Sequence, residues 1–266
     1  MPFRTIEISD PACTEPGISM VTVKSGALKR RADLSCYVPC GFRGGALPLV
    51  ILLHGVYGSH WAWLYKGGAH RVLERLIADE GLPPMMLAMP SDGLWGDGSG
   101  YARHVDADYA QWIVDEVPAA AALVQPAVIG APLFITGLSM GGYGALRLGA
   151  LHAEKFTALS AHSSATLVDH LLGIVEESWD QYRLDESDPL NVIDCLKAHA
   201  ERLPPFRFDC GSEDFLIEPN RELHRQLTEA GIAHDYQEFP GIHDWPYWQE
   251  HLADSLRFFA RHLPQK

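Results

Sequence analysis

Leu133-Phe134-Ile135-Thr136-Gly137-Leu138-Ser139-Met140-Gly141-Gly142-Tyr143-Gly144-Ala145 decides how the rest of this 266-residue chain is read. Four residues of strand-forming character run into Gly137-x-Ser139-x-Gly141, and a small-residue segment, Ala145 to Ala150, follows with helical character. A strand, a sharp turn and a helix together present a serine hydroxyl at the tip of the turn, where it can act as a nucleophile. Side chains flanking the serine would collide with the neighbouring strand or helix, and Gly137 and Gly141 have none. The turn also sets the N–H of Met140 at a helix N-terminus beside the serine oxygen, where the helix dipole favours negative charge. Met140 is therefore read as half of an oxyanion hole. With 24 glycines in the chain, a bare G-x-S-x-G has little weight, and the flanking strand and helix supply it.

Working outward, Leu49 to Leu53 is continuously apolar, as in a strand buried on both faces of a parallel sheet. It ends in His54-Gly55-Val56-Tyr57-Gly58-Ser59, and a glycine-bearing loop at the C-terminal end of a central strand is where an open α/β sheet places its ligand site. The N–H of Val56 is assigned as the second oxyanion donor. Upstream, residues 18–24 and 32–38 alternate in polarity around Ser25-Gly26-Ala27 and read as an antiparallel pair at the sheet edge. Downstream, residues 69–80 have helical periodicity, Pro84 to Met89 reads as another buried strand, and Pro90 to Tyr101 forms a long loop. That loop has neither a phosphate-binding glycine fingerprint nor the aspartate spacing of a calcium loop. Asp106 to Val124 reads as a second long helix, which Pro118 should kink or break.

After the organising segment, Phe156 to Ala161 is the next expected strand. Residues 162–203 form an irregular, partly helical excursion over the active end of the sheet, with a helix start at Asp188-Pro189. The alternation then resumes with strand 205–210, helix 219–230, strand 234–239 and helix 245–262. No repeat or low-complexity linker interrupts the chain, so residues 1–266 are expected to form a single domain.

Composition narrows the chemistry. A formal charge of −13 argues against nucleic acid or an anionic membrane surface as a partner. No apolar run approaches the roughly 18–20 residues that span a bilayer. The N-terminus lacks the basic and apolar regions of a secretory signal, so a cytoplasmic protein is expected. Five cysteines, Cys13, Cys36, Cys40, Cys195 and Cys210, lack metal-site spacing and read as buried free thiols. No metal or organic cofactor is expected. The sequence leaves open whether the chain acts alone or as a homo-oligomer.

A serine hydroxyl needs a base, and the base needs a third group to fix its tautomer. Of the 13 histidines, His243 lies in the loop between the last strand and the last helix, at the active end of the sheet. The loop after the preceding strand, Gly211-Ser212-Glu213-Asp214-Phe215, offers Asp214 as the acid, in preference to Glu213 and Asp209. The order Ser139, Asp214, His243 is that of α/β-hydrolases. Asp244 reads as a helix N-cap. Trp61, Trp63, Trp95, Tyr101, Trp248 and His162 are candidates for the pocket wall.

Through His54-Gly55, Gly137 to Gly142, Cys210 to Phe215 and Gly241 to Trp248, the chain resembles the esterase D, or "putative esterase", group of α/β-hydrolases. That group includes S-formylglutathione hydrolases, tributyrin-type esterases, feruloyl and acetyl-xylan esterases and the mycolyltransferases. The resemblance implies an α/β-hydrolase fold, a mostly parallel central sheet with an antiparallel N-terminal edge and helices on both faces. It also implies a Ser139, Asp214, His243 triad and an oxyanion hole at Val56 and Met140. S-formylglutathione hydrolases typically carry a cysteine-containing segment after the oxyanion glycine. Here Val56-Tyr57-Gly58-Ser59-His60-Trp61 stands in its place. The expectation is thus a carboxylesterase acting on small acyl esters, with a thioesterase or an acyltransferase on the same triad as alternatives. A non-enzymatic binding protein of this fold would be expected to lack a member of the triad.

Overall fold

The computed structural model describes residues 3–183 and 188–264. Among them, nine strands form one sheet: β1 (Ile6–Ile8), β2 (Ile18–Lys24), β3 (Arg31–Tyr37), β4 (Leu49–Leu53), β5 (Met86–Pro90), β6 (Leu133–Gly137), β7 (Ala158–His162), β8 (Phe206–Gly211) and β9 (Asp235–Phe239). Their order is β1-β2-β3-β5-β4-β6-β7-β8-β9. The first three strands run antiparallel to their neighbours, and pairing from β5 through to β9 is parallel.

The described residues carry eight α-helical segments: α1 (Ala69–Glu80), α2 (Tyr109–Gln111), α3 (Val117–Val124), α4 (Met140–Leu151), α5 (Val168–Leu172), α6 (Val192–Ala198), α7 (Ile217–Glu229) and α8 (Trp245–Arg261). Side chains alternate across the sheet, so β4 feeds two apolar layers. Leu49, Ile51 and Leu53 pack in the layer that contains residues of α3, α4, α6 and α7. Val50 and Leu52 pack with α1 and α8 on the other face. Burial on both faces explains the uninterrupted apolar run.

Several expectations shift in detail. β1 lies outside the β2–β3 pair and forms the true edge. It is three residues long, too short to register as a periodic pattern. Pro118 does not break its helix. A π-helical turn, Trp112–Glu116, precedes it, with Val117 N–H bonded to Trp112 O, and Pro118 falls in the first turn of α3, where a missing N–H costs little. The helix expected at Asp188-Pro189 begins at Val192, because Asp188 and the Pro189 carbonyl are engaged by the buried Arg147 of α4. Within the 162–203 excursion, residues 184–187 lie outside the described residues. All five cysteines are free, but Cys13 and Cys40 are exposed rather than buried.

A buried polar network joins β7, β8 and α8. The Asp209 carboxylate accepts from His162 Nδ1 at 2.9 Å, from Arg207 Nη1 at 2.8 Å and from the Tyr247 hydroxyl at 2.8 Å. Burial alone would push the Asp209 carboxyl up. The His162 imidazole, the Arg207 guanidinium and the Tyr247 hydroxyl outweigh it and hold the carboxyl down at about 2. Because the folded value is depressed, the stability it contributes is full above the ordinary value of 3.8 and is lost as pH falls through about 2. Asp209→Asn strands the Arg207 charge, so urea unfolding at neutral pH is expected to show a loss of about 3–5 kcal/mol. The gap between wild type and variant should narrow on acidification from pH 4 to pH 2. A variant as stable as wild type at pH 7 would contradict this account.

Candidate active site

The turn after β6 is built by close backbone approach. A Cβ on Gly137 would stand 2.3 Å from Gly141 O, and one on Gly141 would stand 2.2 Å from Leu53 O, so any larger residue would drive β4, β6 and α4 apart. Ser139 itself sits at φ +54°, ψ −119°, an uncommon conformation for a non-glycine residue that costs on the order of 1–3 kcal/mol. Its N–H donates to His162 O at 2.9 Å, which ties the strained turn to β7. The hydroxyl is held at the N-terminus of α4.

Asp214 and His243 reach this serine from the loops after β8 and β9. The Asp214 N–H donates to Gly211 O at 3.0 Å, and one carboxylate oxygen accepts from Leu216 N–H at 2.8 Å, which fixes the loop after β8. The loop after β9 comes so near that a Cβ on Gly211 would stand 2.4 Å from Gly241 O. Asp244 caps α8 by accepting from Tyr247 N–H at 3.1 Å. His243, held between these two loops, places Nε2 3.0 Å from Ser139 Oγ and Nδ1 2.8 Å from Asp214. The Asp214 side chain is sealed from solvent, whereas 16% of the His243 side chain remains exposed. A buried carboxylate on Nδ1–H leaves Nε2 as the acceptor toward the serine. Glu213 is exposed, and Asp209 is engaged with Arg207 and His162.

The loop after β4 closes the other side. A Cβ on Gly55 would stand 3.2 Å from Ser139 Cβ, so this loop lies against the serine. His54 bonds Gly55 O through Nδ1 at 2.7 Å and accepts from Asp92 N–H at Nε2, and Tyr101 donates to His54 O at 3.0 Å. Asp92 in turn accepts from the N–H groups of Leu94 and Ser99, so the long 90–101 loop buttresses the site. Among the described residues, the N–H groups of Val56 and Met140 bond no acceptor.

A pocket of about 370 Å³ opens over Ser139 and His243. Trp61 and Trp248 line it, together with Tyr57, Phe215, Trp245, Ile174 and Lys66. The other four wall candidates lie elsewhere. Trp63, within the π-helical turn Ala62–Lys66, is buried and donates from Nε1 to Leu53 O at 2.9 Å. Trp95 packs edge-on against His104 at 4.5 Å, and Tyr101 is buried behind the His54 loop. His162 is wholly buried between Asp209 and Ser255, its Nε2 2.7 Å from Ser255 Oγ. Ser255, His162 and Asp209 thus repeat the Ser–His–Asp connectivity in a place no substrate reaches, and access separates the two constellations. Phe215 and Trp245 flank Asp214 and His243 closely in sequence, a signal that could have marked them. Ile174 arrives from the excursion, and nothing local to it announces the pocket. Among the described residues, no group of three or more His, Cys, Asp or Glu side chains is arranged to hold a metal ion.

The chain is 29% identical over 234 residues to an acetyl esterase from Caldicellulosiruptor saccharolyticus, covering 81% of this chain and 84% of that one. Among solved structures, a ferulic acid esterase superposes with a TM-score of 0.78 at 24% identity, covering 93% of this chain and 98% of that one. An S-formylglutathione hydrolase from Agrobacterium tumefaciens superposes with a TM-score of 0.76 at 18% identity, covering 99% and 100%. These likenesses establish the α/β-hydrolase fold. Residues 25–259 match the family model described as "Putative esterase", and the chain belongs to that family of esterases.

Proposed function

We infer that the chain is a serine carboxylesterase that hydrolyses small acyl esters through an acyl-enzyme. The observation that carries this reading is the 3.0 Å approach of His243 Nε2 to Ser139 Oγ, with Asp214 on the opposite ring nitrogen, at the floor of an open pocket. In the first half-reaction His243 takes the Ser139 proton as Oγ attacks the ester carbonyl carbon. The negative charge that develops on the carbonyl oxygen is met by the N–H groups of Val56 and Met140, whose lack of other acceptors leaves them preorganised for it. His243 then passes its proton to the departing alkoxide, and the alcohol leaves.

In the second half-reaction His243 deprotonates a water, which attacks the acyl carbon; the proton returns to Ser139 as the acid is released. Asp214 holds the imidazole tautomer and stabilises the imidazolium formed in each half. The chemistry needs no external redox partner. A small acyl group agrees with the acetyl esterase relative. The free thiols, two of them exposed, suit a reducing compartment, and we assign the protein to the cytoplasm.

A fluorophosphonate probe should label wild type at Ser139, and p-nitrophenyl acetate should be turned over. Ser139→Ala should abolish labelling and lower kcat by at least about 10³-fold, and Asp214→Asn should lower kcat by about 10⁴-fold with little change in stability. Retained labelling in Ser139→Ala would overturn the assignment.

A further inference from the structure

We propose that the substrate's leaving group carries an anion, a carboxylate or a phosphate, which is bound in a cationic groove joined to the pocket at Lys66. The proposal rests on the esterase reading above and narrows its substrate class.

Lys66 lines the pocket over Ser139 and also a second groove, of about 780 Å³, whose other charged walls are Arg71, Arg75 and Glu250. Three cations face one carboxylate there, in a chain whose formal charge is −13. Among the described residues, none of the three cations is held in an ion pair. Glu74, three residues from Arg71, is occupied by the Tyr37 hydroxyl and Cys40 N–H. Arg71 and Arg75 stand four apart on α1, one turn from each other on the same face. Like charges at that spacing destabilise a helix, so an anion bound between them relieves part of their repulsion.

The side of the pocket on which the groove opens says which part of the ester it holds. His243 must deliver its proton to the leaving oxygen, so the leaving group lies on the imidazole's side of Ser139. From that imidazole a continuous wall leads to the groove. Trp248 meets His243 edge-on at 4.9 Å, Trp245 meets Trp248 at 5.4 Å, and Lys66 Nζ stands 5.4 Å over the Trp245 ring. Trp248, only 6% exposed, is the firmly packed middle of this wall. An alcohol or thiol that runs along the two tryptophans brings its anionic end to Lys66, Arg71 and Arg75.

The test uses three acetyl esters of para-substituted phenols matched in size: a neutral carboxamidomethyl, a carboxymethyl and a phosphonomethyl compound. The methylene keeps the phenol's acidity nearly constant, and rates are normalised to fluorophosphonate-titrated sites. At low ionic strength, kcat/KM for at least one anionic ester should exceed that of the neutral ester by about tenfold, and this ratio should fall toward one in 0.5 M salt. The ratio should also fall at least about threefold in Lys66→Met and in the double variant Arg71→Gln/Arg75→Gln. The arm with the larger ratio identifies carboxylate or phosphate. A wild-type ratio at or below one for both anions, or a ratio the variants leave unmoved, overturns the groove while the esterase reading stands. If wild type turns over none of the three esters, the esterase reading fails and the groove proposal falls with it.

Discussion

The contact on which the rest depends is the near-touch of backbone against backbone where β4, β6 and α4 meet. With 2.2 Å between an imagined Gly141 Cβ and Leu53 O, the turn after β6 closes only because two side chains are missing. Closing it costs strain at Ser139, and the surrounding sheet must supply the energy that holds it there. The apolar runs of β4 and β6, buried on both faces, provide that stiffness. The same geometry lifts the hydroxyl above the sheet edge and leaves the first N–H of α4 beside it. Strain, proposed oxyanion donor and proposed nucleophile therefore share one origin.

The histidine is positioned by a different device. Its loop is gripped from below by the Asp209 network, through the Tyr247 hydroxyl in the first turn of α8, and from the side by the Gly211–Gly241 contact. Asp244 ends the loop as a helix cap. The imidazole is thus set by buried polar contacts and capping rather than by apolar packing alone. Its rings of contact, Phe215 at 4.5 Å and Trp248 at 4.9 Å, leave one edge facing the pocket. The buried Ser255–His162–Asp209 set has the same short distances but is sealed from solvent. Exposure to a cavity distinguishes the two.

Much of this was legible from local pattern. The apolar run 49–53, the glycines around Ser139 and the loops after β8 and β9 each carry their signal within a few residues, so the strands could be located along the chain and the three side chains expected at one rim. What stayed hidden depends on contacts between distant segments. Trp61 and Trp63 are two residues apart on a π-helical turn, one exposed in the pocket and the other buried beneath it, and composition cannot tell them apart. Tyr101 and His162 sit at loop and strand ends like pocket residues, yet their polar atoms face inward to hold the His54 and Asp209 networks. β1 is too short, and the turn that accommodates Pro118 too irregular, to show as a periodicity. Lys66 is one lysine among 21 basic residues until the fold sets it between two cavities.

The central claim is that Ser139 Oγ becomes covalently acylated during turnover. Rapid acid quenching of the protein mixed with excess p-nitrophenyl acetate, followed by peptide mass spectrometry, tests it directly. One acetyl group per active chain, confined to the peptide that contains Ser139 and absent when His243 is replaced by alanine, is the expected result. Steady ester hydrolysis with no acetyl on Ser139, or with acetyl accumulating on a different residue at the rate of turnover, would contradict the account.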